Sequence, residues 1–296
     1  MAWAILALTG GMSVGSSAAL AQDTAPVSTN PFEAARQAPL EITVTPYVWA
    51  MALNGTVGVG DVHADVDLSF SDILQHLNGA LMMSAEFRKG PFSLLSDTLV
   101  ARLEGDANGD YNGDLVDASL DVNAKMTQVM QQLAGTYRFA DVAFANSEPG
   151  RPFGATFDVY GGARYTYLNT QVQARLNASV EGPFGQRERQ NQRQATQSAD
   201  KHWVDPIIGL RSIWNLGGRF SAVVAGDIGG ISTSDQYSWE AWGLVGYRFS
   251  IFSEGDSNFL IGYRALHQKY QDGSGNRRFD WDVTMHGPIT GLKITF

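Results

Sequence analysis

Phe157-Asp158-Val159-Tyr160-Gly161-Gly162-Ala163-Arg164-Tyr165-Thr166-Tyr167 alternates without a slip. Phe157, Val159, Gly161, Ala163, Tyr165 and Tyr167 share one side, while Asp158, Tyr160, Gly162, Arg164 and Thr166 share the other. Successive side chains of an extended strand point to opposite faces, so this is a strand with one apolar face and one face that holds charges. Val204, Pro206, Ile208, Leu210, Ser212 and Trp214 alternate in the same way against Asp205, Ile207, Gly209, Arg211 and Ile213. Phe220, Ala222, Val224, Gly226 and Ile228 do so against Ser221, Val223, Ala225 and Asp227. Noisier versions cover 81–87, 129–139, 239–249, 259–265 and 292–296.

Working outward from these segments predicts an all-β chain of about ten strands, near 41–53, 78–88, 92–104, 121–139, 154–172, 200–215, 218–232, 237–250, 258–270 and 278–296. Eight or twelve strands are the alternatives. One short helical turn is expected in Ser69-Phe70-Ser71-Asp72-Ile73-Leu74-Gln75-His76-Leu77, with Ser71 as its cap.

Connection lengths carry a second signal. Lys89-Gly90-Pro91, Leu216-Gly217 and 251–257 are short or modest, whereas 54–78, 105–120, 173–199, 232–236 and 271–277 lie between them as the other, mostly longer set; 140–153 is longer than its side prefers. Short turns on one side and long loops on the other are the asymmetry of an up-and-down transmembrane β-barrel, whose short side is periplasmic. Phe87, Phe92, Tyr137, Phe139, Phe157, Trp214, Phe220, Tyr247, Phe249, Phe259 and Phe296 all fall where strands meet the short turns, with outward parity. That is the aromatic girdle of a membrane interface. The competing expectation is a soluble periplasmic lipocalin-like barrel binding an apolar ligand, in which those aromatics would face inward.

Composition limits the function classes. The 296 residues carry 21 Lys+Arg against 30 Asp+Glu, a formal charge of −9, which offers no basic field for nucleic acid. There is no Cys, hence no disulfide, thiolate metal site or Cys nucleophile. No internal apolar run is long enough for a membrane-spanning helix.

Residues Met1 to Ala21 carry no charged side chain, contain the apolar run Ala2 to Leu8 and end Ala19-Leu20-Ala21, the small-x-small pattern of a leader-peptidase site. Cleavage is expected before Gln22. The chain opens Met1-Ala2-Trp3 without a basic n-region, so the expectation is a start truncated or assigned too far downstream. Residues 22–39, with Pro26, Pro31 and Pro39, read as a flexible periplasmic lead-in, and 40–296 as the barrel.

The chain ends Gly291-Leu292-Lys293-Ile294-Thr295-Phe296. This resembles the assembly signal that the outer-membrane insertion machinery reads on the last strand of bacterial barrels, with matches at Gly291, Ile294 and Phe296 and a departure at Ile289. Thr43-Val44-Thr45-Pro46-Tyr47-Val48-Trp49, Ser69-Phe70-Ser71-Asp72-Ile73-Leu74, Trp203-Val204-Asp205-Pro206 and His286-Gly287-Pro288 also resemble a family of small, mostly uncharacterised proteobacterial outer-membrane barrels. The resemblance implies an outer-membrane location, with lipid, lipopolysaccharide and the insertion machinery as partners, and brings no substrate with it.

With the apolar face toward lipid, the lumen receives Glu86, Arg88, Arg138, Asp158, Arg164, Asp205, Arg211, Asp227, Glu240, Arg248, Arg264 and Lys293. Charges so enclosed must be paired, so cross-strand Arg–carboxylate contacts are expected, including pairs among Arg164, Arg211, Asp205 and Asp227. About ten strands enclose an interior nearly filled by side chains. The functional expectation is a structural barrel or a narrow passive channel for small solutes with a largely plugged lumen, with no cofactor.

Chemistry motifs are weak. Asp106, Asn108, Asp110, Asn112 and Asp114 are similar to the start of a calcium loop, but Tyr111 stands where the Gly belongs and no Glu closes the frame. Arg187, Arg189 and Arg193 in the longest loop could meet lipopolysaccharide phosphates, although Glu188 interrupts them and a solvated tip is the preferred reading. Asp61 and His63 are faintly similar to the Asp/His pairing of outer-membrane aspartyl proteases, without the second acidic pair, and no His-x-Ser of a lipid A deacylase appears. His76, His202, His267 and His286 suggest no base either, so no enzyme is expected. Gly58-x-Gly60 lacks the third Gly and the helix of a dinucleotide fingerprint.

Overall fold

The computed structural model describes residues 31–60, 62–112, 116–144, 153–181, 187–232, 234–249, 256–275 and 278–296. The proposed leader, 1–21, lies outside the described residues. In chain order the elements are α1 (Pro31–Gln37), β1 (Leu40–Trp49), β2 (Ala52–Val59), β3 (Val62–Leu68), α2 (Phe70–Gln75), β4 (Leu77–Lys89), β5 (Phe92–Asn112), β6 (Val116–Ala143), β7 (Phe153–Glu181), β8 (Arg187–Leu216), β9 (Phe220–Ser232), β10 (Gln236–Phe249), β11 (Asp256–Asp272) and β12 (Phe279–Thr295). Consecutive strands from β4 to β12 pair antiparallel, and β1 pairs with both β4 and β12. These ten strands form a closed barrel, and β2 and β3 are two more strands added to its wall.

Closure is made by Thr43 opposite Thr295, Tyr47 opposite Gly291 and Trp49 opposite Ile289. Beyond the last strand residue, the Phe296 N–H donates to the Ile42 carbonyl at 2.8 Å, and the Ile42 N–H donates back at 3.2 Å. A closed ladder leaves no edge and satisfies backbone polar groups internally, which hydrocarbon demands. Deleting Phe296 removes both bonds and the terminal aromatic, so the truncated chain is expected to reach the heat-modifiable folded form more slowly than the parent in the same cells. Equal membrane levels in competition would overturn this.

The outer surface is apolar where it should meet lipid. Ile208 and Leu210 are each 61% exposed, with Val224, Val245, Ile261, Leu133 and Leu81 in the same exposed class. The soluble alternative required the reverse. Aromatic contacts line both ends of this band. At the short-turn end Phe157 meets Trp214 edge-on with ring centroids at 5.9 Å, and Phe220 meets Tyr247 at 5.4 Å. At the other end Tyr165 lies beside His202, Trp239 stacks on His267 and Tyr263 on His286. From Phe157 to Tyr167 ten steps of about 3.3 Å at a tilt near 40° span about 25 Å, the height of an outer-membrane apolar band. The chain is an integral outer-membrane barrel, and by the general rule for such barrels its short turns mark the periplasmic side.

Above the upper girdle the structure departs from the sequence reading. Segment 54–78 is the β2–β3 hairpin and α2 rather than a loop, and 105–120 and 173–199 are largely ladder: Gly105–Asn112 pairs with Asp117–Ala124, and Val116–Asn123 with Gln173–Val180. Polar residues crowd both segments, among them Asp106, Asn108, Asp110, Asn112, Gln173, Arg175, Asn177 and Ser179, so in the sequence they read as loops. They make one side of the wall tall, since β9 and β10 stop near the girdle while β8 runs on as far as Arg187, bonded above Ile207 to β7 alone. The β1–β4 ladder ends at Pro46 opposite Met83, because Pro has no N–H to donate; above it the Trp49 N–H turns to the Met82 sulfur at 3.2 Å.

Ser69, not Ser71, caps α2. Its hydroxyl accepts from the Asp72 N–H at 3.3 Å while Asp72 accepts from the Ser69 N–H at 2.9 Å, a capping box that holds the Asp72 carboxyl below its usual range. Within the lead-in, α1 lies under the β4–β5 turn, with Phe32 stacked on Phe92 at 5.2 Å. Gly90 takes φ +60° in that turn, a left-handed conformation that a side chain would strain.

Candidate functional site

The lumen has three layers. The periplasmic layer is ionic. Glu86 Oε1 accepts from Arg88 Nη2 at 2.7 Å, Ser93 Oγ at 2.7 Å and Arg211 Nη2 at 2.8 Å, and Oε2 accepts from Arg211 Nη1 at 2.9 Å. Asp158, wholly buried, accepts from Arg211 Nη2 at 2.7 Å, Arg88 Nη2 at 3.0 Å and Arg138 Nε at 3.2 Å. Strand alternation puts all five inside, and tilt brings β4, β6, β7 and β8 within reach of one another.

The middle layer crosses the barrel. Arg164 Nη2 donates to both Asp227 oxygens at 2.9 Å, to Glu240 Oε2 at 2.6 Å and to Gln132 Oε1 at 2.9 Å. Arg264 bonds Glu240 Oε1 through Nε, Asp97 Oδ2 through Nη2 at 2.8 Å and the Tyr47 hydroxyl through Nη1 at 3.0 Å. Tyr47 donates to Asp97 at 2.8 Å and Tyr160 to Asp227 at 3.0 Å. Arg264 also lies 4.8 Å from the Trp49 ring centroid, a cation–π contact.

Asp205 and Arg248 bond outside these networks. Asp205 is opposite Arg164 in the β7–β8 register but bonds Gln236 Nε2 at 2.8 Å, and its Oδ2 has no partner among the described residues. The expected arginine pairing of Asp205 is therefore corrected: Arg164 reaches across to β9 and β10 instead. Arg248 reaches Asn215 Oδ1 at 3.4 Å.

The third layer, toward the cell exterior, is apolar and was not expected. Trp49, Met51, Leu53, Leu99, Ala101, Met130, Leu168, Trp203, Leu266, Trp281, Val283 and Met285 form one buried cluster, joined by Ile73 of α2. Trp203 stacks on Tyr270 at 4.6 Å. The indole N–H groups of Trp49, Trp203 and Trp281 are buried without a partner among the described residues. Between the two ionic layers lies a cavity of about 160 Å³.

The remaining motifs fall outside the lumen. Asp106 and Asn112 belong to β5, with Asp106 accepting from Asn123, and Asp114 lies outside the described residues. No group of three metal-ligating side chains occurs among the described residues. The side chains of Arg187, Arg189 and Arg193 also lie outside them, on the upper part of β8. His63 Nε2 sits 3.0 Å from Asp280 Oδ2, which Arg278 also holds; Asp61 is not described. His76 meets the Asp72 carbonyl, His267 the Thr284 hydroxyl, and His286 both Tyr263 and Asn54. Gly291 and Ile294 lie in the closing β12 ladder.

Neither a protein-family model nor a curated protein matches this chain. Among solved structures it is similar to the outer membrane protease OmpT from Escherichia coli, at 9% identity over 88% of this chain and 98% of that one, with a TM-score of 0.49. A Pseudomonas aeruginosa FadL homologue aligns at 9% identity over 90% of this chain and 92% of that one, with a TM-score of 0.32. Neisserial surface protein A aligns at 13% identity over 87% and 97%, with a TM-score of 0.22. These likenesses carry neither residues nor activity across.

Proposed function

We propose that this outer-membrane barrel is a narrow passive conduit for small solutes, shut at rest. The observation that carries the reading is the buried network in which Arg164 holds Asp227 and Glu240 while Arg264 holds Glu240 and Asp97, so that β7, β9, β10, β11 and β5 are linked through the lumen. A cavity beside this network, lined by Glu240 and Arg264 rather than solidly packed, favours a path over a purely structural barrel. Ionic groups enclosed in this way are stable only while paired, and rearrange when water is admitted to solvate them. The apolar layer above is a second closure in series.

Planar-bilayer recording tests the reading. Wild type is expected to give only small or rare conductance steps with simple salts. Large, steady conductance would overturn the closed state, and complete silence under every voltage and salt gradient would leave the structural role alone.

A further inference from the structure

The cavity between the ionic layers has two unlike walls. Ile213, Val223 and Leu244 are consecutive partners across β8, β9 and β10, and with Trp242 and Leu260 they make one wall apolar. The opposite wall, from β12 through β1 to β4, presents Lys293, Thr43, Thr45 and Ser84. Thr45 and Ser84 are direct register partners, and Lys293 on β12 lies at their level, because Val44 pairs with Ile294.

The charged groups lining this space differ in one respect. Glu86 is held by Arg88 and Arg211, Asp97 by Tyr47 and Arg264, and Glu240 by Arg164 and Arg264. Lys293 alone among the described charged liners has no hydrogen bond or ion pair within 4 Å. The charged liners balance in sign, Glu86, Asp97 and Glu240 against Arg211, Arg264 and Lys293, so an anion bound at Lys293 would meet the one cation there that no liner engages. An ammonium beside two hydroxyls, facing an aliphatic and indole wall, is the donor set for one carboxylate carrying an apolar body. A cavity of about 150 Å³ accepts benzene, so a single ring or short branched chain fits this one.

We propose that the cavity binds a small amphipathic monocarboxylate, with the carboxylate on Lys293, Thr45 and Ser84 and the body against Val223, Leu244 and Leu260. The site goes beyond the conduit reading and does not need conduction. Calorimetric titration of the full barrel in zwitterionic nanodiscs with benzoate, benzyl alcohol and benzylammonium tests it. Benzoate should saturate one site, with the alcohol and the cation weaker by about tenfold or more, as loss of a charge-assisted bond implies. Lys293→Met should weaken benzoate by a similar factor with heat-modifiable migration unchanged, Lys293→Arg should retain it, and Val223→Phe should abolish it by filling the apolar wall. Equal binding of all three probes, or benzoate binding indifferent to Lys293→Met, would overturn the site. A barrel silent in bilayers that still takes benzoate fails as a conduit only.

Discussion

Arg164→Met is expected to destabilise the barrel by about 3–5 kcal/mol, the usual consequence of removing one partner from a buried ionic network. Arg264 continues to hold Glu240, but Asp227 is left with the Tyr160 hydroxyl as its remaining donor. The penalty belongs to that abandoned carboxylate rather than to lost packing, since Met fills much of the space of the arginine stem. Adding Asp227→Asn should therefore recover most of the loss. Urea unfolding in detergent, read by heat-modifiable migration, measures both variants. A single variant as stable as the parent, or a double variant no better than the single, would refute the account.

Trp281→Ala should cost a comparable amount, about 3–5 kcal/mol, because it removes a buried aromatic from the centre of the exterior-side cluster. Its effect on conduction should differ. On the conduit reading the apolar and ionic layers stand in series, so either variant alone leaves one shut and should raise conductance little. Trp281→Ala combined with Arg164→Met opens both, and the expected result is frequent, larger steps. If Trp281→Ala alone conducts as well as the combination, the ionic bridge is no barrier.

The ten wall strands were readable in the sequence because lipid imposes one rule on their outer face: Val204, Ile208 and Leu210 must be apolar whatever faces inward. The charges opposite them could be assigned to the lumen by parity alone. Their partners could not, since Arg164 ignores its register neighbour Asp205 and crosses the barrel, a distance set by tilt and closure rather than by sequence spacing. The apolar cap was missed for a more instructive reason. Along β12, Leu292 and Ile294 point outward and Lys293 inward, but higher up Trp281, Val283 and Met285 point inward while Asp282 and Thr284 point outward. The alternation keeps its phase and reverses its polarity. Outside the membrane the exterior meets water and the interior becomes the core, so the reversal itself marks the upper boundary of the lipid. Ser69 escaped as the cap of α2 because Ser71 offers the same side chain two residues later, and only Asp72 returning to the Ser69 N–H separates them.

On its tall side, β7 climbs from Tyr167 to Glu181, fourteen residues beyond the upper girdle, or about 35 Å at the strand rise and tilt used above. The neighbouring β9–β10 hairpin has no such extension: β9 ends at Ser232 and β10 begins at Gln236. Anything arriving from the medium therefore touches the summit of β5 to β8 well before it nears the mouth. That summit is held by its own main-chain ladder and takes no part in closing the lumen. The pairing of β5 to β8 therefore continues where lipid no longer requires it, on hydrogen bonds of the main chain.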